Sequence, residues 1–156
     1  MVNEIEITEA RLEDLPALLT LYRHLNTSDP IIEIDEKIAA QWRSMLADTN
    51  MHIVFARTRS DGRPVSTCIL SVIPNLTRGG RSYALIENVV TLPEFRKRGI
   101  GTLVLRYAQD IAWSANCYKV QLMTSRKEPE VLNFYVSAGF TAGEKSGFVV
   151  RAPKSV

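Results

Sequence analysis

The chain has 156 residues, of which 46% are hydrophobic and 23% are charged. This length fits one domain with its own core, and the ordinary composition excludes a disordered chain. Lys and Arg number 19 against 17 Asp and Glu, so the formal net charge is only +2, which argues against a general binder of polyanions.

The cysteines and the N-terminus narrow the class of protein further. There are two cysteines, Cys68 and Cys117, and no Cys and His cluster at metal-ligand spacing, so neither a disulfide scaffold nor a metal site is predicted. Three glutamates among the first nine residues are wrong for a secretory signal, and charged or polar residues interrupt every apolar stretch. We therefore expect a cytoplasmic protein without a metal, folded as one domain over residues 1–156.

The first half of the chain predicts two helices followed by a series of strands. Ile5 and Ile7 alternate with glutamates, which is typical of a strand with one buried face. Apolar side chains then recur at helical spacing, and Asp61-Gly62 indicates a hairpin turn. The predicted segments after the first strand are helices at 12–25 and 35–46, strands at 52–59 and 65–73, a Gly-rich loop at 74–81 and a strand at 82–91.

The second half predicts two helices and three further strands. An apolar stripe from Ile100 to Ala115 predicts a long helix, and Gly139 is a suitable end for the last one. The predicted segments are strands at 118–124, 140–144 and 147–151, with the last helix at 129–139. The order is β-α-α-β-β-β-α-β-α-β-β, which indicates an α+β or mixed α/β domain.

The turn between the strand at 82–91 and the long helix carries the strongest chemical signal. Three basic residues, Arg96 to Arg98, precede Gly99 and Gly101 at the start of the helix. A helix N-terminus presents free N–H groups, and glycines let a phosphate approach the backbone. The turn therefore predicts a pyrophosphate site, although it matches neither a P-loop nor the dinucleotide fingerprint. The alternative is a solvated basic turn before a helix.

Two motifs resemble the GNAT superfamily of acetyl-coenzyme-A-dependent N-acetyltransferases. Arg96, Gly99 and Gly101 match its Arg/Gln-x-x-Gly-x-Gly/Ala signature, and residues 134–140 resemble its Phe/Leu-Tyr-x-x-x-Gly-Phe segment. The predicted order of elements matches over nearly the whole chain. The resemblance implies one N-acetyltransferase domain that uses acetyl-CoA as co-substrate, with a central mixed sheet, flanked by helices, whose fourth and fifth strands are splayed by a bulge.

The resemblance also implies where the coenzyme binds. The pantetheine arm would lie between the splayed strands and pair with the backbone near Val90, as a strand adds to an open edge. The N–H groups of residues 98–102 would bind the diphosphate. The expected coenzyme-binding residues are Val89, Val90, Thr91, Arg96, Lys97, Arg98, Gly99, Ile100, Gly101, Thr102 and Asn133.

Two side chains fit the proton transfers that the implied reaction needs. Tyr135 occupies the position of the superfamily's general acid, and its ordinary pKa of about 10 lies above that of a thiol, about 8.5. Glu87 lies on the strand where many members carry an acidic residue that receives the amine proton, and burial there would raise its pKa. A backbone N–H at Val89 or Val90 would stabilise the oxyanion. The alternatives are a Tyr that only packs and a Glu that faces solvent.

The acceptor is the least determined part of the prediction. Residues 86–90 and 116–120 resemble glucosamine-6-phosphate N-acetyltransferases, but Asn88 stands where that family has an acidic residue. Arg78 and Arg81 flank two glycines before the strand that carries Glu87, and guanidinium groups bind carboxylate and phosphate in a bidentate way. We expect an anionic amine, such as an amino acid or amino-sugar phosphate, bound by Arg78, Arg81, Glu87, Asn88 and Arg151. Solvated loop arginines are the alternative.

Two other functions compete with acetyl transfer to a small amine in a ternary complex. A non-catalytic acyl-CoA-binding regulatory module would keep the phosphate site, but Glu87 and Tyr135 together argue against it. A nucleic-acid binder is disfavoured because three basic residues without a pattern of stacking aromatics are too small a footprint. The resemblance also implies a homodimer through the C-terminal hairpin and its neighbouring strands, with no membrane or nucleic-acid partner.

Overall fold

A computed structural model of the chain describes residues 4–153. In this range five strands form a single sheet in the order β1-β2-β3-β4-β5. Neighbours are antiparallel except for β4 and β5, which run parallel. The strands are β1 (Ile5–Glu9), β2 (Met51–Thr58), β3 (Pro64–Ile73), β4 (Tyr83–Thr91) and β5 (Val120–Leu122).

The four longer helices follow the predicted order with somewhat different bounds, and a further short helical segment lies within the predicted loop at 74–81. The N-terminal helix is shorter than predicted, because residues 12–14 form a 3-10 turn before it. The second helix begins after Asp35, whose side chain accepts a hydrogen bond from the Ile38 N–H at 2.8 Å. The helices are α1 (Leu15–Tyr22), α2 (Glu36–Ala47), the short α3 (Thr77–Gly80), α4 (Ile100–Ser114) and α5 (Pro129–Ser137).

The core lies around β3, in the middle of the sheet. Residues 65–70 are buried without alternation, which indicates that both faces of this strand are covered. Helices α1 and α4 both pack against β3. The face that α4 contributes consists of the fully buried Val104, Leu105, Ala108 and Ala112, as the apolar stripe in the sequence predicts.

A buried ion pair joins the turn before α1 to the sheet. The Arg57 guanidinium on β2 lies 2.5 Å from the Asp14 carboxylate, and both side chains are almost inaccessible to solvent. Asp14 also accepts the Arg11 N–H at 2.6 Å, and Arg57 donates to the Thr8 hydroxyl at 2.8 Å. These contacts fix the start of α1. The same helix contacts β4, the strand that carries Glu87.

The predicted final hairpin is wrong within the described range. Neither 140–144 nor 147–151 forms a strand, and β5 has three residues instead of the predicted seven. Strands need a partner, and the segment after α5 lines a cavity beside β5 without pairing with it. Phe148 and Val150 are consequently more than nine-tenths exposed. Across residues 4–153, no helix combines the length and the apolar character needed to cross a membrane.

Candidate active site

A β-bulge interrupts β4 at its centre. Ile69 is paired with Glu87 and Thr67 with Val90, so two residues of β4, Asn88 and Val89, lie opposite the single Cys68. Asn88 has a φ of +56°, in the left-handed region that Asn tolerates better than most residues. This is the bulge that the resemblance leads one to expect in this strand.

The sheet opens directly before the bulge. Pairing between β4 and β5 covers three residues and ends at Ile86 and Leu122, so the second half of β4 has no partner on that side within the described chain. A cleft of about 1180 Å³, here called the first cleft, occupies the opening. It is bounded by residues 24–27 after α1, 86–91 of β4, 95–97, 99–102 and 122–126, and by residues of α5.

Glu87, on β4, and Tyr135, on α5, both line the first cleft. Glu87 is solvent-exposed, which differs from the desolvated carboxylate considered above. Tyr135, on α5, is half-buried against the rings of Phe134 and Phe140, with centroids 4.9 and 6.3 Å away. Burial raises the pKa of Tyr135, although the nearby Arg126 guanidinium opposes the rise. The phenol therefore keeps its proton at neutral pH and is available as an acid.

The turn before α4 has the backbone of an anion site. Lys97 and Gly99 both adopt positive φ values, +59° and +76°. Alternation between left-handed and ordinary conformations gathers successive N–H groups on one side of the chain. The N–H groups of the first turn of α4 have no acceptor within the helix, and its dipole favours negative charge at this end. The arrangement suits a diphosphate.

The three basic side chains of the turn are not equally free. The Arg96 Nε donates to the Thr91 carbonyl at 2.9 Å, which ties the turn back to the end of β4. The Arg98 guanidinium lies over the Phe95 ring, 5.3 Å from its centroid. Lys97 approaches Glu130 on α5 at 3.8 Å, and both side chains are exposed. Lys97 is therefore the cation of the turn that can most readily turn to a ligand.

The structure collects most of the predicted coenzyme residues on one surface. Asn133 joins them from α5, facing the turn across the cleft. Arg98 is the exception, because its side chain packs on Phe95 and does not line the cleft. The predicted residues that line the first cleft are Val89, Val90, Thr91, Arg96, Lys97, Gly99, Ile100, Gly101, Thr102 and Asn133.

The predicted acceptor arginines lie elsewhere. Arg78 and Arg81 border a second cleft of about 1130 Å³ between β5, α5 and residues 139–147. Arg81 donates to the Cys117 carbonyl at 2.9 Å, and Arg78 lies over the Tyr118 ring. Arg151 is exposed and lines neither cleft. Only Tyr135 and residues 122–124 belong to both clefts, so the structure does not bring these arginines together with Glu87.

Sequence reasoning missed three contributors to the site. Residues 24–27 and Arg126 line the first cleft from loops. The position of a loop in the fold cannot be predicted from the spacing of apolar residues. Tyr22, the last residue of α1, receives a hydrogen bond from the Asn88 amide at 3.4 Å. The helical stripe that contains Tyr22 predicts burial but not the partner of its hydroxyl. In the part of the chain that is described, no group of three or more His, Cys, Asp or Glu residues is placed to hold a metal ion.

Comparison with known proteins agrees with this geometry. Residues 17–140 match the model described as "Acetyltransferase (GNAT) family". A glucosamine 6-phosphate N-acetyltransferase from Trypanosoma brucei brucei is 32% identical over 144 residues, which cover 92% of this chain and 94% of that protein.

Solved structures extend the comparison. One from Agrobacterium tumefaciens str. C58, provisionally assigned as an acetyltransferase, is 46% identical with a TM-score of 0.88, covering 94% of this chain and 99% of that one. The aminoglycoside N-acetyltransferase AAC(6')-Iy, solved in complex with CoA, is 19% identical with a TM-score of 0.76 and covers 94% of both chains. At that identity the likeness concerns the fold alone.

Proposed function

The chain belongs to the GNAT family of acetyltransferases, and on that premise we propose that it transfers the acetyl group of acetyl-CoA to the primary amine of a small anionic acceptor. The observation that carries the proposal is the first cleft. There an acid with a raised pKa, Tyr135, and a carboxylate, Glu87, line the same cleft as the N-terminus of α4, whose free N–H groups could bind a diphosphate.

The coenzyme would bind along the unpaired half of β4. Its diphosphate would meet the N–H groups at the start of α4, with Lys97 as counter-ion, and its amides would pair with the backbone of residues 89–91. This placement is supported by the end of β4–β5 pairing at Ile86, which leaves those backbone groups without a strand partner. It puts the thioester next to the bulge, between Glu87 and Tyr135.

The reaction would proceed by direct attack in a ternary complex. Glu87 would accept the amine proton, directly or through water, while the amine nitrogen bonds to the acetyl carbon. A backbone N–H at Val89 or Val90 would stabilise the oxyanion. As the carbon–sulfur bond breaks, Tyr135 would give its proton to the leaving sulfur and recover one through solvent. Solvent exposure of Glu87 supports its part, because the accepted proton has a path out of the cleft.

An anionic acceptor is supported by the cations of the first cleft. Among residues 4–153, no carboxylate lies within ion-pair distance of Arg126, which lines the cleft beside Tyr135. The name of the Trypanosoma brucei brucei relative points to an amino-sugar phosphate. Arg78 and Arg81 would contribute only if the acceptor enters through the second cleft. Loss of acceptor affinity in Arg126→Gln, but not in Arg81→Gln, would place the acceptor in the first cleft.

We also propose a homodimer, formed along the free edge of β5. The second cleft runs beside that edge and is lined by the unusually exposed Trp113, Met123 and Val136. Phe148 and Val150 extend the apolar surface. A second copy would cover these side chains. Light scattering at micromolar concentration should give twice 17.5 kDa, and a species of 17.5 kDa alone would reject the dimer.

The test of the function is an acceptor screen with acetyl-CoA. The panel contains glucosamine 6-phosphate, glucosamine, amino acids, spermidine and a peptide, with product mass and released thiol both measured. Cys68 and Cys117 are buried, so the folded protein contributes little thiol background. We expect the phosphorylated amino sugar or an amino acid to be acetylated. Tight acetyl-CoA binding without any acetylated amine would instead favour a non-catalytic acyl-CoA-binding module.

A further inference from the structure

We infer that Tyr22 is a positioning residue for the strand opening, and that it acts through the side chain of Asn88. The inference rests on the proposed function for its catalytic consequence, but its structural part does not. Tyr22 lines neither cleft, so it has no direct contact with the space where a substrate would bind. Any effect of Tyr22 on the reaction is therefore transmitted through the bulge at Asn88.

The contact is specific to the bulge residue. Asn88 Nδ2 donates to the Tyr22 hydroxyl oxygen at 3.4 Å, across the interface between α1 and β4. Asn88 is the residue whose left-handed backbone, with φ of +56°, creates the bulge opposite Cys68. A non-glycine residue holds this conformation at a cost, so its surroundings must stabilise it. The hydrogen bond to Tyr22 is one such restraint on the side chain.

The surroundings of Tyr22 increase the contribution of this hydrogen bond to stability. Tyr22 is partly buried, and burial raises the pKa of its hydroxyl to about 12, while the hydrogen bond from Asn88 opposes the rise. The hydroxyl therefore remains protonated over the working pH range. A polar group that is shielded from water and loses its hydrogen-bond partner costs free energy. This cost favours the arrangement in which the Asn88 amide and the Tyr22 hydroxyl bond to each other.

The consequence for the site follows from the chain itself. Asn88 lies between Glu87 and Val89, and pairing between β4 and β5 has ended two residues before it, at Ile86. A change at Asn88 therefore moves the Glu87 carboxylate and the Val89 N–H without opposition from β5. Tyr22 thus sets the position of two groups that the proposed reaction uses, from the last turn of α1.

The first arm of the test needs no substrate. Amide hydrogen exchange is measured by NMR on the free wild-type protein, Tyr22→Phe and Tyr107→Phe. Tyr107 is a matched control, since it is half-buried on α4 and has no side-chain hydrogen bond among the described residues. We expect Tyr22→Phe to accelerate exchange of the amides of residues 88–90 by about tenfold relative to those of β2, through local opening. Unchanged exchange there would overturn the inference.

The second arm measures catalysis with the best acceptor. Tyr22→Phe and Asn88→Gly, which keeps the left-handed backbone, should each lower kcat about fivefold, the effect of one neutral hydrogen bond. The KM for acetyl-CoA should change less than twofold, and the double variant should be no slower than the slower single variant. Additive losses, or a Tyr22→Phe enzyme with wild-type kcat, would contradict the catalytic role. If the wild-type protein acetylates no amine, the proposed function fails, and the exchange arm still decides whether Tyr22 positions the bulge.

Discussion

Gly101 packs so closely against Phe134 that a Cβ atom at this position would come 3.0 Å from Phe134 Cζ. The same atom would lie 3.3 Å from the Thr91 hydroxyl oxygen, so the start of α4, the end of β4 and α5 meet at one point. Close packing therefore favours the second glycine of the turn, independently of any phosphate. Phe134 precedes Tyr135, so this contact also links the anion site to the proposed acid.

Replacing Gly101 should destabilise the protein in the absence of ligand. We expect Gly101→Val to lower the free energy of unfolding by about 1–3 kcal/mol, because the added methyl groups force the Phe134 ring to move. Phe134→Leu in the same chain should recover part of this loss. Urea unfolding checks both, with Thr102→Val as the matched control on the next helical position. Equal stability of Gly101→Val and wild type would show that Phe134 yields without cost.

The proposed phosphate site is tested better by a change of charge than by a change of the glycine, since a Gly101 variant alters packing as well. Lys97→Glu should weaken acetyl-CoA binding by tenfold or more, roughly the effect of losing one charged contact. Lys37→Glu makes the same change of charge on α2, away from both clefts, and should leave the affinity unchanged. Calorimetry measures the two. Equal affinities would mean that the diphosphate does not bind at this turn.

The ion pair between Asp14 and Arg57 should matter far more than its surface counterpart. Asp14→Ala leaves the Arg57 guanidinium buried without its partner, so we expect a loss of about 3–5 kcal/mol. Arg43 and Glu36 also lie 2.5 Å apart, but both are exposed, and Glu36→Ala should cost at most about 1 kcal/mol. Denaturant midpoints compare the two variants. Similar losses in both would argue against burial as the cause.

Helix caps and the spacing of apolar residues predicted those elements whose signals lie within the element itself. The start of α2 at Asp35, the stripe of α4 and the end of α5 before Gly139 are all confirmed. The predicted strands at 140–144 and 147–151 are absent from the described structure. Alternation of apolar and polar residues indicates one buried face, but it does not show whether a neighbouring strand is available for pairing. Residues 148–150 carry a strand-like sequence on an exposed segment, which is part of the surface that we propose a second copy covers.

The site was predictable as a set of motifs but not as an arrangement. Residue type and spacing are enough to predict a function for the turn at 96–101 and for the segment at 134–140. The direction of Glu87 could not be predicted, because the bulge at Asn88 changes which side chains share a face, and one residue of register reverses them. The contact between Arg81 and the Cys117 carbonyl is long-range, so the sequence alone left that side chain free for an acceptor.

Glu87→Gln should lower kcat by about 10²-fold or more, because the amide of Gln cannot accept the amine proton. The calorimetric Kd for acetyl-CoA should hold, since the substitution preserves the size and shape of the side chain. Glu13→Gln, an exposed change at the opposite end of α1 from the first cleft, is the control and should keep the wild-type rate. A Glu87→Gln enzyme with the wild-type kcat would assign acceptance of the amine proton to another group.

The most direct measurement compares turnover and acetyl-CoA affinity in Tyr135→Phe, with Tyr107→Phe as control. The pKa of Tyr135 is raised by burial above its ordinary value, so the acid stays protonated and the wild-type rate should not decline with rising pH below about pH 10. Because the substitution removes only the hydroxyl, the calorimetric Kd for acetyl-CoA should hold while kcat falls by about 10²-fold or more. A Tyr135→Phe enzyme that turns over at the wild-type rate would contradict the proposal that this residue protonates the leaving thiolate.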